Sequence, residues 1–131
     1  MQGAARTVVT IAGASRGHRD NPPKVNGVFD LVPRELYNGR ALFRKRDDED
    51  VWLMCGSDGD WMVSDTAFKE LNDSCGFACA PGSDCDNVPP LSGWRVSDGK
   101  GYVPDDGITV THSGALKVSI VMVVDVAELR A

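Results

Sequence analysis

This chain has few histidines, no long apolar run and no excess of basic charge, and each shortage removes a class of function. Only His18 and His112 occur among the 131 residues. Neither has a partner at motif spacing, so an enzyme built on a general-base histidine is not expected. The longest apolar stretch, Ile120 to Val124, is five residues, far below the roughly 18 that a membrane helix needs. Acidic residues outnumber basic ones by 19 to 14, for a net charge of -5. A phosphate backbone is repelled overall, and nucleic-acid binding is disfavoured. Basic residues do gather at Arg16, Arg19 and Lys24, and again at Arg40, Arg44, Lys45 and Arg46. Asp47 to Asp50 follow the second cluster at once, so it reads as a solvated turn. From Met1 the chain runs Gln-Gly-Ala-Ala-Arg without the apolar core of a secretory signal, and no signal peptide is expected.

What the chain does have is a set of short alternating runs punctuated by tryptophan. Trp61-Met62-Val63-Ser64 puts Trp61 and Val63 on one face of a strand, and Trp94-Arg95-Val96-Ser97 repeats the arrangement, because strand side chains alternate with period two. Trp52 sits in a third such run. Glycines number 14 and prolines 7, as many strands and turns require. The expected fold is a single all-β domain over residues 1–131. It is an antiparallel meander or barrel-like sheet of roughly eight to ten short strands with little helix. The inward set is Val9, Ile11, Trp52, Leu53, Trp61, Val63, Trp94, Val96, Ile108, Val110, Ile120 and Met122.

Individual elements follow from local chemistry. Thr7 to Ile11 is β-branched throughout and reads as a first strand. A polar loop from Gly13 to Lys24 ends in Pro22-Pro23, where no helix is expected to start smoothly. Asn38-Gly39 suits the positive φ angles of a type I′ hairpin turn leading to a strand at Arg40 to Lys45. Val51 to Cys55 and Asp60 to Asp65 form the arms of a further hairpin, and Thr66 to Leu71 can form a helical turn capped by Asp65. Cys75 to Pro90 reads as loop. Trp94 to Ser97, Tyr102-Val103 and Ile108 to Thr111 are strands. The C-terminal run, about 115–127, places Leu116, Val118, Ile120, Met122, Val124 and Val126 on one face, with Val121 and Val123 on the other. A strand so apolar has to be central or covered by a partner.

Candidate chemistry is sparse. Thr10 to Gly17 resembles the glycine-rich turn of short-chain dehydrogenases, but the following helix, the third glycine and the alternating β and α units are missing. Four cysteines, Cys55, Cys75, Cys79 and Cys85, include a Cys-x3-Cys-x5-Cys run that fits zinc poorly. An even count in a turn-rich domain fits disulfides, with free thiols and a metal as the other readings. The aspartates lie in turns where they bond their own backbone. Asp58-Gly59-Asp60 and Ser83 to Asn87 lack the regular ligands and closing glutamate of a calcium loop. No cofactor is therefore expected, and the chain is read as not an enzyme. Trp52, Trp61 and Trp94, with Phe29, Phe43 and Tyr102, are read first as core. Their alternative is an exposed platform for a glycan or a partner.

The order Val25-Asn26-Gly27-Val28-Phe29, Asn38-Gly39-Arg40-Ala41-Leu42-Phe43, Trp52-Leu53, Gly59-Asp60-Trp61-Met62-Val63 continues through Pro89-Pro90 and Gly93-Trp94-Arg95-Val96. Asp98-Gly99, Tyr102-Val103-Pro104 and Ile108-Thr109-Val110 complete it. This resembles a small tryptophan-punctuated β module of dinoflagellates and other protists, over about residues 8–111. Phe29 and Phe43 stand where that module has tyrosines, Tyr102 where it has a tryptophan, and Ala41 where it has a proline. No activity or catalytic set comes with the resemblance. It implies a non-catalytic interaction or structural module, an accessory subunit of a larger assembly such as a plastid photosynthetic complex. Its partners would be other protein chains, a membrane complex among them. A carbohydrate-binding domain is the alternative, and a thiol- or metal-dependent enzyme stands third. On the same reading an organelle or extracellular setting is favoured over the cytosol. The interaction surface expected is Val121, Val123, Trp52, Trp61 and Trp94.

Overall fold

Hairpin turns dictate the architecture, because nearly every strand is followed directly by its neighbour in space. The computed structural model describes residues 7–74, 76–82 and 88–113. In chain order these form β1 (Val8–Ala12), α1 (Asn21–Val25), β2 (Gly27–Tyr37), β3 (Arg40–Lys45), β4 (Val51–Cys55) and β5 (Asp60–Asp65). Then come α2 (Thr66–Leu71), β6 (Ala78–Pro81), β7 (Arg95–Ser97), β8 (Tyr102–Pro104) and β9 (Thr109–Ser113). The strands make one antiparallel sheet in the order β8-β7-β6-β5-β4-β3-β2-β1-β9, curled into a half-barrel. Strand accounts for 47% and helix for 11%, which is the all-β meander that the alternating runs imply.

The turns are those the residues favour. Asn38 (φ 52°) and Gly39 (φ 79°) both adopt positive φ between β2 and β3, as a tight hairpin matched to strand twist requires. β4 and β5 pair from Val51↔Asp65 to Cys55↔Trp61. β2 is longer than its apolar run suggests. It continues through a register shift between Leu31 and Leu36, with Arg34 at φ 64° absorbing the irregularity as a β-bulge does.

Burial follows the period of two. Val9, Ile11, Phe29, Phe43, Val51, Leu53, Trp61, Val63, Trp94, Val96, Ile108 and Val110 all belong to one core on the concave side. Phe43 and Trp61 meet there with ring centroids 6.4 Å apart. Trp52 departs from the inward set: it is buried, but with Leu42, Met54 and Met62 in a second cluster. Adjacent residues of a strand point to opposite faces, so Trp52 and Leu53 serve different layers. β4 is consequently buried at every position.

Two other local expectations are corrected. Asn21–Val25 is a helix despite Pro22-Pro23, with proline at N1/N2. In the first turn the missing N–H is an orphan in any case and the fixed φ suits the helix. Residues 78–81, read as loop, form β6, paired to β5 through Met62↔Cys79 and to β7 through Ala78↔Val96. Ala-Cys-Ala-Pro has almost no intrinsic strand preference, so its two neighbours decide its conformation. The helical turn after Asp65 does form, with the Asp65 carboxylate accepting the Phe68 N–H at 3.0 Å. The run at 115–127, with Ile120 and Met122, lies outside the described residues.

Between β1 and β2 the chain forms a strap along one end of the half-barrel. Ala14 and Val25 join the concave core. Asn26 grips Ala14 twice, its Oδ1 accepting the Ala14 N–H at 2.9 Å and its Nδ2 donating to the Ala14 carbonyl at 3.0 Å. The Asn21 Nδ2 donates to the carbonyls of Phe77 (3.2 Å) and Ser97 (2.8 Å), and the His18 N–H donates to Ser97 at 2.9 Å. At the strap's start Gly13 (φ +85°) presses on the backbone of Gly107, where a Cβ would fall on the carbonyl. Gly39 shares the positive φ but has nothing within 4 Å of such an atom. Gly13→Ala is therefore expected to cost about 3 kcal/mol, combining strain with backbone overlap. Gly39→Ala should cost about 1 kcal/mol from conformation alone. Urea unfolding of the two variants measures the difference, and equal losses would contradict the close approach.

Candidate functional site

The glycine-rich stretch that resembles a phosphate loop already holds an anion of its own. The N–H groups of Ser15 and Arg16 both donate to Asp105 Oδ2, at 2.8 and 3.0 Å. Gly107 N–H donates to Oδ1 at 3.2 Å. Asp105 is only 2% exposed. Burial pushes its carboxyl up, but the three backbone donors and the nearby Arg16 charge outweigh that and hold it below the ordinary value. The amides that a dinucleotide phosphate would need are thus spent within the fold.

The described cysteines are not activated. Cys55 and Cys79 are free thiols, and Cys75 and Cys85 lie outside the described residues. Cys55 belongs to the concave core while Cys79 packs against the outer cluster, so the sheet separates them. Burial raises the pKa of each thiol. Arg40 Nη1, 3.5 Å from Cys55 Sγ, pulls the other way without reversing it. A nucleophilic cysteine needs the opposite environment. Among the described residues, no group of three His, Cys, Asp or Glu side chains could hold a metal ion. Asp58 spends its carboxylate on the Asp60 N–H at 3.0 Å, within the turn between β4 and β5. His18 is exposed and accepts the Asp20 N–H at 3.3 Å, while His112 is in β9 opposite Val9.

The tryptophans are placed inside. Trp61 and Trp94 are 0% and 2% exposed, and Trp94 Nε1 donates to the Pro90 carbonyl at 2.9 Å. Trp52 is held between two cations, with Arg44 and Lys69 each 4.6 Å from its ring centroid, a favourable arrangement for a π face. Its Nε1 donates to Thr66 Oγ1 at 2.9 Å, and Tyr37 OH donates to the Lys69 carbonyl at 2.7 Å. Together these contacts dock α2 on the outer face. A sugar or partner meeting the described surface finds no exposed tryptophan; Val121 and Val123 lie outside the described residues.

The surface does offer a shallow, open groove of about 340 Å³. α2 contributes Phe68, the approach to β6 contributes Gly76 and Phe77, and β7 contributes Ser97. The hairpin Gly99-Lys100-Gly101 and Tyr102 at the start of β8 close the other side. Tyr102 is 38% exposed, and its hydroxyl is fixed to Gly76, accepting the N–H and donating to the carbonyl, both at 3.1 Å. The hairpin is fixed as well: Asp98 Oδ1 accepts the N–H groups of Lys100 (2.8 Å) and Gly101 (2.9 Å), and these bonds lower its carboxyl pKa. Leu71, 74% exposed, follows Phe68 by one helical turn and lies on the same helix face. Of the groove's three rings, sequence reasoning singles out only Tyr102. Phe68 and Phe77 belong to a weak helix and an apparent loop, and no periodicity marks them.

Comparison with family models, with curated proteins and with solved structures gives no match to this chain. Its function has to be read from the geometry above.

The thiol environment gives a direct expectation. In a Cys75→Ser/Cys85→Ser background, an aromatic disulfide reagent at pH 8 should leave Cys55 unmodified until denaturant is added. Cys79 should react more slowly than the free amino acid, since the raised pKa leaves less thiolate. Rapid labelling of Cys55 in the folded chain would refute its place in the core.

Proposed function

We propose that this domain is a non-catalytic module that docks another protein chain at the groove between α2 and the β7–β8 hairpin, as an accessory or structural subunit of a larger assembly. The observation that carries this reading is the combination of three partly exposed or half-buried rings, Phe68, Phe77 and Tyr102, around an open depression with no acid–base pair in its lining. Open aromatic grooves suit extended chains, whose side chains fill shallow pockets while rigid rings give area at little entropic cost. β8 stands at the end of the described sheet order, beside that groove. It is three residues long and ends in Pro104, the kind of short edge that resists indiscriminate strand pairing. Recognition at this place therefore rests on side chains more than on strand addition. The environments of Cys55 and Cys79 favour packing over reaction, and the buried tryptophans favour a protein partner over a glycan.

The test compares variants in affinity purification from the native source. A chain that co-purifies with the wild-type protein should be lost with Tyr102→Ser and with Lys100→Glu. It should be retained with Leu36→Ser, which alters an exposed apolar residue (47% exposed) in β2. Loss of one groove ring at an interface of this kind is expected to cost about 2 kcal/mol of binding. Retention by both groove variants would remove the groove from the interface. Binding of the same protein to a defined sugar on a glycan array, with quenching of tryptophan fluorescence, would instead support the carbohydrate reading.

A further inference from the structure

We propose that Asp105 makes the meeting of the Gly13–Gly17 loop with the 105–108 turn an acid-released latch at one end of the half-barrel. Both carboxylate oxygens face N–H donors: Ser15 and Arg16 on Oδ2, Gly107 on Oδ1. Oδ2 already accepts two N–H groups, so a proton there would displace one of them, and a proton on either oxygen removes the charge that strengthens all three bonds. The turn is otherwise secured by its own backbone, through Asp105 N–H to the Trp94 carbonyl at 3.1 Å and Ile108 N–H to the Asp105 carbonyl at 3.2 Å. The titratable and charged residues carried by the segments that meet here are Arg16, His18, Arg19 and Asp20 on the strap, Asp106 in the turn and Arg95 next to Trp94 in sequence. Of these, Arg16 is the one whose charge acts on Asp105.

The moving part is short. Asn26 holds Ala14, and the Ser97 carbonyl holds His18 and Asn21, so the release is confined to residues 15–17 against 105–108. Gly17, at φ +85°, ends it as a ready hinge. Gly17 lies on the Val96 side chain, and Ile108 ends the turn at 6% exposed. Opening uncovers these two apolar residues at the rim of the concave core.

The direction of the pH effect follows from linkage. Asp105 is held below its ordinary 3.8, so the latch is fully present above that value and is lost as the pH falls through the folded-state pKa. Amide exchange of the full chain, followed by NMR and corrected for the intrinsic rate, tests this. On lowering the pH from neutral until the Asp105 carboxyl carbon shift shows it protonated, protection at Ser15, Arg16 and Gly107 should fall roughly tenfold or more while the amides of β4 and β5 keep theirs, as in a local opening. Asp105→Asn should show the same selective loss at neutral pH. Should that variant not fold, the wild-type titration decides alone. Loss of protection at all amides together, or retention at Ser15 and Arg16 in acid or in Asp105→Asn, would overturn the proposal.

Discussion

The carboxylate of Asp105 joins two loops 90 residues apart in sequence, and the closed end of the half-barrel depends on that junction. A meander in chain order is stitched by local hairpins from β2 to β8, except that longer connections lead to β6 and β7. What local turns cannot supply is the return of β9 to the side of β1 and the seating of the strap. The β1–β9 ladder makes the first, and Asp105 pins the start of the strap where the chain leaving β8 meets the chain leaving β1. A buried charge is costly unless its hydrogen bonds are made. Here three backbone amides make them, with the Arg16 charge nearby. Gly13 and Gly107 are the steric counterpart, since side chains at that crossing would hold the two backbones too far apart for the bonds to form.

A second constraint is that the sheet is buried on both sides at its middle. β4 contributes Val51, Leu53 and Cys55 to the concave core and Trp52 and Met54 to the outer cluster. The outer layer is thin. Among the described residues it includes α2, a helix of six residues that could not persist alone in water. Its stability is borrowed from Trp52, which hydrogen-bonds Thr66 and receives Lys69, and from Tyr37, which caps the Lys69 carbonyl. The same helix presents Phe68 to the groove. Packing on the outer face and the shape of the candidate binding surface are thus one problem, solved by one short element.

Much of this was legible in the sequence, for identifiable reasons. Asn38-Gly39, the arms at Val51–Cys55 and Asp60–Asp65, and the cap at Asp65 are signals within a few residues, and they survive into the structure because nothing tertiary opposes them. The pieces that escaped are those decided at a distance. Ala78–Pro81 becomes a strand because β5 and β7 offer it bonds on both edges. Pro22-Pro23 sits within a helix whose first residue, Asn21, is anchored to Phe77 and Ser97, far along the chain. By its sequence Trp52 reads as inward, like its neighbour Leu53. A tryptophan on the opposite face requires a second apolar layer, and the short helix that provides it is a faint signal on its own. The groove was barely visible, since its rings come from three elements that meet only after folding.

Those rings clarify why the tryptophans that dominate the sequence do not mark the candidate site. A large ring in a small β domain is most stabilising where it is wholly enclosed, as Trp61 is between β4 and β6. Such residues fix the curvature of the sheet and so the place where its end lies. The groove at that end is built by smaller means. Tyr102 has its hydroxyl tied to Gly76 and its ring partly exposed; the turn beside it is set by Asp98. Both devices hold a surface in shape before any partner arrives, which lowers the ordering cost of binding. A rigid, weakly polar depression on a scaffold fixed from within is the arrangement expected of a docking module. The Asp105 latch lies near the other side of Ser97, whose carbonyl anchors the strap while its residue lines the groove. Strap and groove therefore share a wall, and the end of the half-barrel is where the fold concentrates what it can offer to other molecules.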